Sequence, residues 1–367
     1  MCKRFLFATG LVIGMLSLLP VGAARPGGST ASRELGAIVQ KRIELVKIGE
    51  PQYHKGLTVI PLTASDASHA DYLTLDEAVK QRALRILEKG QGQVSAVRAE
   101  SLTGKRIFIM DGEEIVGAKQ NRVLNSSVMI GPKRIVELPV SCVEHGRWTA
   151  ASPEFRSEGT QLFAKGRQMN NADVTANYAA RPSAPATSNQ GKIWERVAEK
   201  RASLRVAGPS EAMHDAYVAR KSDVDTYVKH IHAVSGQVGA LFAVNGEIIG
   251  ADIFDQHRTL ERLLPKLVRS YALDAIEHGG NSRKVDREDA RLFLRRATSS
   301  DVRIRDYASA GEGRDVRLSS ARIKGAGLVV SSVPVHVALF APADDDRPIP
   351  LQSDQIRPPS ERRRNLR

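Results

Sequence analysis

Cysteine is nearly absent from this chain: Cys2 and Cys142 are the only two in 367 residues. Cys2 lies in a basic N-terminal stretch expected to be removed, which leaves Cys142 alone and excludes an intramolecular disulfide. Stability must then come from packing. The patterns that announce a metal are missing as well. There is no HExxH and no cysteine cluster, and His230 and His232, two apart in an expected helix, do not share a face. No metal site is expected. Gly90-x-Gly92 follows an expected helix where a dinucleotide fingerprint requires a strand, and no Walker sequence occurs. These absences name no cofactor, so the cofactor stays unknown, and nothing points to nucleic-acid specificity.

Long apolar runs are confined to the N-terminus. Lys3 and Arg4 precede Phe5 to Leu19, followed by Pro20 and the small residues Gly22-Ala23-Ala24. This is the layout of a secretory signal, residues 1–24, and the run is shorter than the ~20 residues of a membrane span. Export to the periplasm or beyond is expected, with no transmembrane segment after the signal. Residues 25–44 then read as a flexible lead, and 342–367, rich in Pro, Asp and Arg, as a disordered basic tail.

What is present suits a globular body. The chain is 42% hydrophobic and 26% charged, ample for a core in one large domain spanning 45–341, or in two lobes, 45–178 and 191–341. Its formal charge of +13 favours anionic partners such as nucleotides or sugar phosphates.

The expected fold class is α+β, with mixed or antiparallel sheets built from hairpins and several packed helices. Leu57 to Leu62 reads as a buried strand. Thr74 with Glu77 forms a capping box for a helix carrying Leu75, Ala78, Val79, Leu84, Ile86 and Leu87 until Gly90 stops it. Ile107 to Met110, the Asp111-Gly112 pair and Ile115-Val116 read as a hairpin, and Val128 to Ile130 with Ile135 to Val140 as a second. Residues 149–190 lose periodicity and end in a linker, Ala179 to Gln190. Helices are expected over 193–206, 210–232 with a break near Ser222, 260–276 and 287–297, before closing strands at 328–330 and 333–340. Leu241 to Ala251 repeats the pattern of Ile107 to Ala118, with Asn245-Gly246 standing for Asp111-Gly112. An internal duplication yielding two superposable hairpins is one reading; convergence on a common hairpin pattern is the other.

Asp111 to Trp148 holds the densest mixture of ionisable and amide side chains. Its GEEIVGAKQNR and PVSCVEHGRW stretches, with KLVRSYALDAIE further on, resemble an uncharacterised bacterial family. That family is the first type of protein named for association with ADP-ribosylglycohydrolases and rhodanese-like phosphatases. The resemblance covers about residues 45–341 and implies a role near ADP-ribose or other NAD-derived metabolism.

The residues themselves suggest ligand-binding roles for Lys119 and Arg122, as holders of phosphate or carboxylate, and for Gln120 and Asn121, as directional hydrogen-bonding groups. Capping of strand ends is the structural alternative. Glu144, Arg147 and Trp148 join the candidate ligand contacts, Trp148 as a stacking platform. Glu113 and Glu114 point to opposite faces if extended, so at most one faces a given site, and Glu114 is taken as a candidate catalytic carboxylate. Cys142 with His145 could form a nucleophile and base if the strand stops at Ser141, yet Val136, Leu138, Val140 and Cys142 share one strand face, which makes a buried core thiol the default reading. Ligand binding or hydrolysis of a nucleotide-like anionic small molecule is the first function carried forward. A non-enzymatic envelope protein that binds macromolecules is the second. Neither enzymatic activity nor oligomeric state follows from composition.

Overall fold

Residues 57–62 and 238–244 are apolar on both strand faces, so a sheet containing them must be covered on both sides. In the computed structural model, which describes residues 30–90, 92–147, 149–207, 210–278 and 284–342, this is their arrangement. The expected signal, residues 1–24, the tail beyond Pro342 and Trp148 lie outside the described residues.

The chain begins with α1 (Thr30–Glu44), then β1 (Lys47–Ile48), β2 (Gln52–His54), β3 (Leu57–Thr63), β4 (Tyr72–Thr74), α2 (Leu75–Lys80), β5 (Leu84–Glu88) and β6 (Ala96–Ser101). Next come β7 (Arg106–Ile109), β8 (Glu114–Gly117), β9 (Arg122–Leu124), β10 (Val128–Ile130), β11 (Ile135–Cys142), β12 (Glu144–His145) and β13 (Phe155–Arg156). The helical middle is α3 (Ala164–Ala180), α4 (Gln190–Ser203), β14 (Glu211–Ala212), α5 (His214–Ala219) and α6 (Lys221–His230). It closes with β15 (Gln237–Val244), β16 (Glu247–Phe254), α7 (His257–His278), α8 (Arg287–Ala297), β17 (Arg303–Ala308), β18 (Arg314–Ser319), β19 (Lys324–Val330) and β20 (Val333–Phe340).

The fold is α+β, as expected. A 9-stranded sheet runs β1-β3-β15-β16-β20-β19-β18-β17, with β2 added beside β3, and all its pairings are antiparallel. On one face Val59, Ala240 and Phe242 pack beneath Leu263, Leu267 and Tyr271 of α7. On the other, Ile60, Leu62 and Leu241 pack beneath Val39 and Ile43 of α1 and Phe293 of α8. A second, 6-stranded sheet (β13-β8-β9-β11-β6-β5) and a 3-stranded one (β10-β7-β4) share a smaller core around Ile86, Val97, Ile115 and Leu138. Strand pairing crosses the Ala179–Gln190 segment, because β3 lies inside the large sheet beside β15.

Several expectations change. The segment read as a flexible lead contains α1, whose Val39 and Ile43 are buried. The capping box of Thr74 and Glu77 is present, but α2 ends at Lys80. Arg82 then takes a φ of +54° and the chain turns into β5. There Leu84 and Ile86 point to the core while Arg85 points out, a period of two that the helical reading absorbed into its stripe.

The hairpin echo fails at its first copy. At Asn245-Gly246 both residues have positive φ, 51° and 85°, as a type I′ turn demands, and β15 pairs with β16. At Asp111-Gly112 only the glycine does, with φ 78°. β7 therefore pairs with β10 and β4, and β8 with β9 and β13, so the Ile107–Ala118 stretch is not a hairpin. Nor do β10 and β11 form one: β11 pairs with β6 and β9 instead.

α7 starts at His257, earlier than read, because Asp66 accepts its backbone N–H at 2.8 Å from nearly two hundred residues away. Pro265 consequently lies inside the helix.

Candidate functional site

Asp111, Glu113 and Glu114 are all buried, and a buried carboxylate is costly unless charged or donating groups meet it. Each is met by a different helix. Arg167 of α3 donates to Asp111 from Nε at 3.3 Å and Nη2 at 3.1 Å, and to Asp252 from Nη1 at 3.1 Å and Nη2 at 2.8 Å. His336 adds Nε2 to Asp252 at 2.9 Å and places Nδ1 2.8 Å from Ser127 Oγ. Asp111, Asp252 and His336 offer ligand atoms within 4.8 Å of one another, a set that would suit a cation. Arg167 supplies that positive charge. Burial works against ionisation of Asp252, but Arg167 and His336 override it and hold the carboxyl well below its ordinary value.

Glu113 accepts from the Met110 backbone N–H at 2.7 Å and from Lys266 of α7, whose ammonium also reaches Asp76 at 2.8 Å. Burial alone would lower the lysine's pKa, yet the two carboxylates keep it charged and raise it. Glu113 and Glu114 do point apart.

Glu114 differs from its neighbours. Its Oε2 accepts from Thr160 Oγ1 at 2.7 Å and lies 3.3 Å from His214 Nδ1, while Oε1 is buried without a hydrogen-bond donor. The imidazole, 22% exposed, connects this carboxylate to the surface. The hydrogen bond to Glu114 raises its pKa. Across the same turn, Arg269 of α7 donates Nη1 to Gly159 O at 3.2 Å and makes no other hydrogen bond or ion pair with a described residue. Gly159 has a φ of +68°, and a β-carbon there would stand 3.2 Å from that nitrogen, so glycine lets the guanidinium lie against the turn. A carboxylate with a free acceptor, a titratable imidazole and an arginine with spare donors therefore flank residues 159–160.

The 117–122 and 142–147 segments converge. Glu144 accepts the Asn121 N–H at 3.0 Å, Gln120 Nε2 donates to Glu144 O at 3.0 Å, and Arg147 forms a fork on the Glu144 carboxylate at 2.6 Å with each nitrogen. Arg147 also donates to Ala118 O at 2.7 Å and Thr149 O at 3.0 Å. Arg122 is fully buried, donating to Gln120 O at 2.9 Å and facing Glu88 at 3.9 Å. The backbone of half-buried Lys119 donates to Glu88 Oε1 at 2.9 Å. Gln120, Asn121 and Arg147 spend donors closing their own loop around Glu144, which is the strand-capping alternative weighed above, while Arg122 keeps Nε and Nη2 buried without a hydrogen-bond acceptor among the described residues.

Cys142 and His145 face different surroundings. Cys142 is buried, its N–H and C=O are both held by Gln190 at 2.8 and 2.7 Å, and burial pushes the thiol up to about 12. That is the environment of an inert core thiol. His145 is exposed, 2.6 Å from Glu211 and edge-on to Trp194. Its short strand β12 pairs with β14, which delivers His214 to Glu114. Residue-by-residue reading missed His214, which has no local pattern, and passed over Arg269 and Lys266 although both lie in KLVRSYALDAIE.

The α+β body with its buried charged hub defines a helix-clamped sheet protein. Residues 45–340 match the model of the ARPP-1 domain, the ARG and Rhodanese-Phosphatase-superfamily-associated Protein domain, and the chain belongs to that family. No curated protein and no solved structure matches the chain significantly. Among the described residues no helix is long and apolar enough to cross a membrane.

Proposed function

We propose that this protein binds a nucleotide-like small molecule through its sugar and phosphate beside residues 159–160, where half-buried His214 and Arg269 reach the surface and Glu114 lies buried behind His214. The observation that carries this reading is the buried Glu114 carboxylate with one oxygen still free to accept, beside an arginine whose fork keeps donors to spare. A carboxylate acceptor of this kind suits a sugar hydroxyl, and an arginine fork suits phosphate. The family's description as ARG- and rhodanese-phosphatase-superfamily-associated, with ARG read as ADP-ribosylglycohydrolase, supports ADP-ribose and its fragments as the ligands to try first. If the bound molecule is hydrolysed, His214 oriented by Glu114 has the composition of a general base. Cys142, deep in the sheet, then serves packing. The protein acts outside the cytoplasm in this proposal, on the strength of the Lys3 to Ala24 signal pattern, and N-terminal sequencing of the mature chain tests it.

The test is calorimetric titration with ADP-ribose, AMP and ribose 5-phosphate. Arg269→Ala removes a charge-assisted contact worth about 1.5–3 kcal/mol, so affinity should fall roughly tenfold to a hundredfold while the unfolding midpoint stays nearly unchanged. Glu114→Gln should weaken sugar-containing ligands. If none of the three binds wild type, or Arg269→Ala binds them as well as wild type, the reading fails.

A further inference from the structure

The structure assigns a second, separate anion site to a groove of about 370 Å³ between the C-terminal end of α1, strand β1 and helix α8. Ligand pockets begin near this size, about 300 Å³. Arg287, Arg291 and Arg295 line it from α8, and Lys47 faces them from β1. Spaced four residues apart, the arginines follow one helix face in steps of about 6 Å, giving a ladder of charge roughly 12 Å long. Glu44 is the single acid among the lining residues.

The cations differ in how they are occupied. Arg287 is 2.7 Å from Glu50, itself 81% exposed, and Arg291 leans on Glu288. Exposed pairs of this kind exchange readily with a competing anion. The Lys47 and Arg295 side chains are exposed and have no hydrogen bond or ion pair with any described residue. Ile48 and Leu294 supply an apolar floor. A linear cationic ladder over apolar carbon fits a polyphosphate group carried on an apolar or aromatic body, the arginines taking oxygens in pairs and the lysine as a point charge. None of these residues takes part in the Glu114 site, so the two readings fail independently.

Inorganic tripolyphosphate is the probe, titrated calorimetrically at about 50 mM salt. The expected result is one site per chain, weakened about tenfold or more in Lys47→Ala/Arg295→Ala. These two side chains hold nothing in the fold, so that variant should unfold with wild type. Lys80→Ala/Lys229→Ala, which removes the same charge elsewhere, should bind as wild type does. Binding of ribose 5-phosphate should survive in the groove variant. Absence of tripolyphosphate binding by wild type, equal binding by the groove variant, or equal weakening in the Lys80/Lys229 control overturns the assignment.

Discussion

Replacing Arg167 by alanine isolates the charged hub most directly. The guanidinium is fully buried, bridges two buried carboxylates and lies 5.3 Å from the Phe340 ring centroid. Removing one partner of a buried ion pair typically costs about 3–5 kcal/mol, because the remaining charge stays desolvated. Here two carboxylates lose their guanidinium, Asp252 keeping only the His336 hydrogen bond and Asp111 only that of Ser127 among the described residues, so the upper part of that range applies, against total stabilities of roughly 5–15 kcal/mol. The folded-to-unfolded ratio should fall by roughly a thousandfold to several thousandfold. The sign of the pH dependence is a sharper test. In wild type the Asp252 carboxyl is held below its ordinary value, so its contribution is complete above about pH 4 and is lost as pH falls through the depressed pKa. In the variant the same carboxyl keeps only the His336 hydrogen bond against its burial, so its protonated form is favoured more than in wild type. The deficit should be greatest at neutral pH and shrink on acidification. Urea unfolding of both proteins between pH 4 and 8 measures it. A deficit under about 1 kcal/mol, or one that does not vary with pH, would refute the account of Arg167 as the counter-charge of the hub.

Two further outcomes follow from the other buried groups. Cys142, with its thiol pushed up to about 12, should resist iodoacetamide at pH 8 in the native protein and react once urea unfolds the chain; rapid native alkylation would mean an accessible thiolate. His214, raised by its hydrogen bond to Glu114, should give wild type a stability advantage over His214→Gln. That advantage should be full below about pH 6.5 and fade as pH rises through the higher folded value. An advantage that instead grows toward alkaline pH would contradict the Glu114–His214 pairing.

Elements whose signal is local were legible. α8, with its Asp286 cap and apolar stripe, and the Asn245-Gly246 hairpin stand where the pattern puts them. α3 was not, because its buried face is polar: Arg167, Gln168, Asn170 and Asn171 replace the apolar stripe that marks a helix. β17 and β18 escaped for a related reason. Their charged residues pair across and along the strands, as Arg317 does with Asp315, and hide the strand period. In the site, the density of charge from Asp111 onward was visible, but not what it served. Glu114's partner His214 stands 100 positions away and Glu113's partner Lys266 stands 153 away, distances over which no periodicity operates.

Those separations have a consequence for how the chain is made. A ribosome releases Asp111 to Glu114 long before it releases Lys266, Asp252 or His336. Until then the carboxylates gain more from water than from any interior. β3 likewise waits for β15 before it has a neighbour on that edge. The N-terminal half thus cannot reach its final arrangement as an early unit: β6 to β11 find their shared core among residues released with them, but Phe108 and Val123 stay uncovered until α7 and the last strands arrive. A translocation route that keeps the polypeptide extended until its last strand has emerged would spare it that exposure.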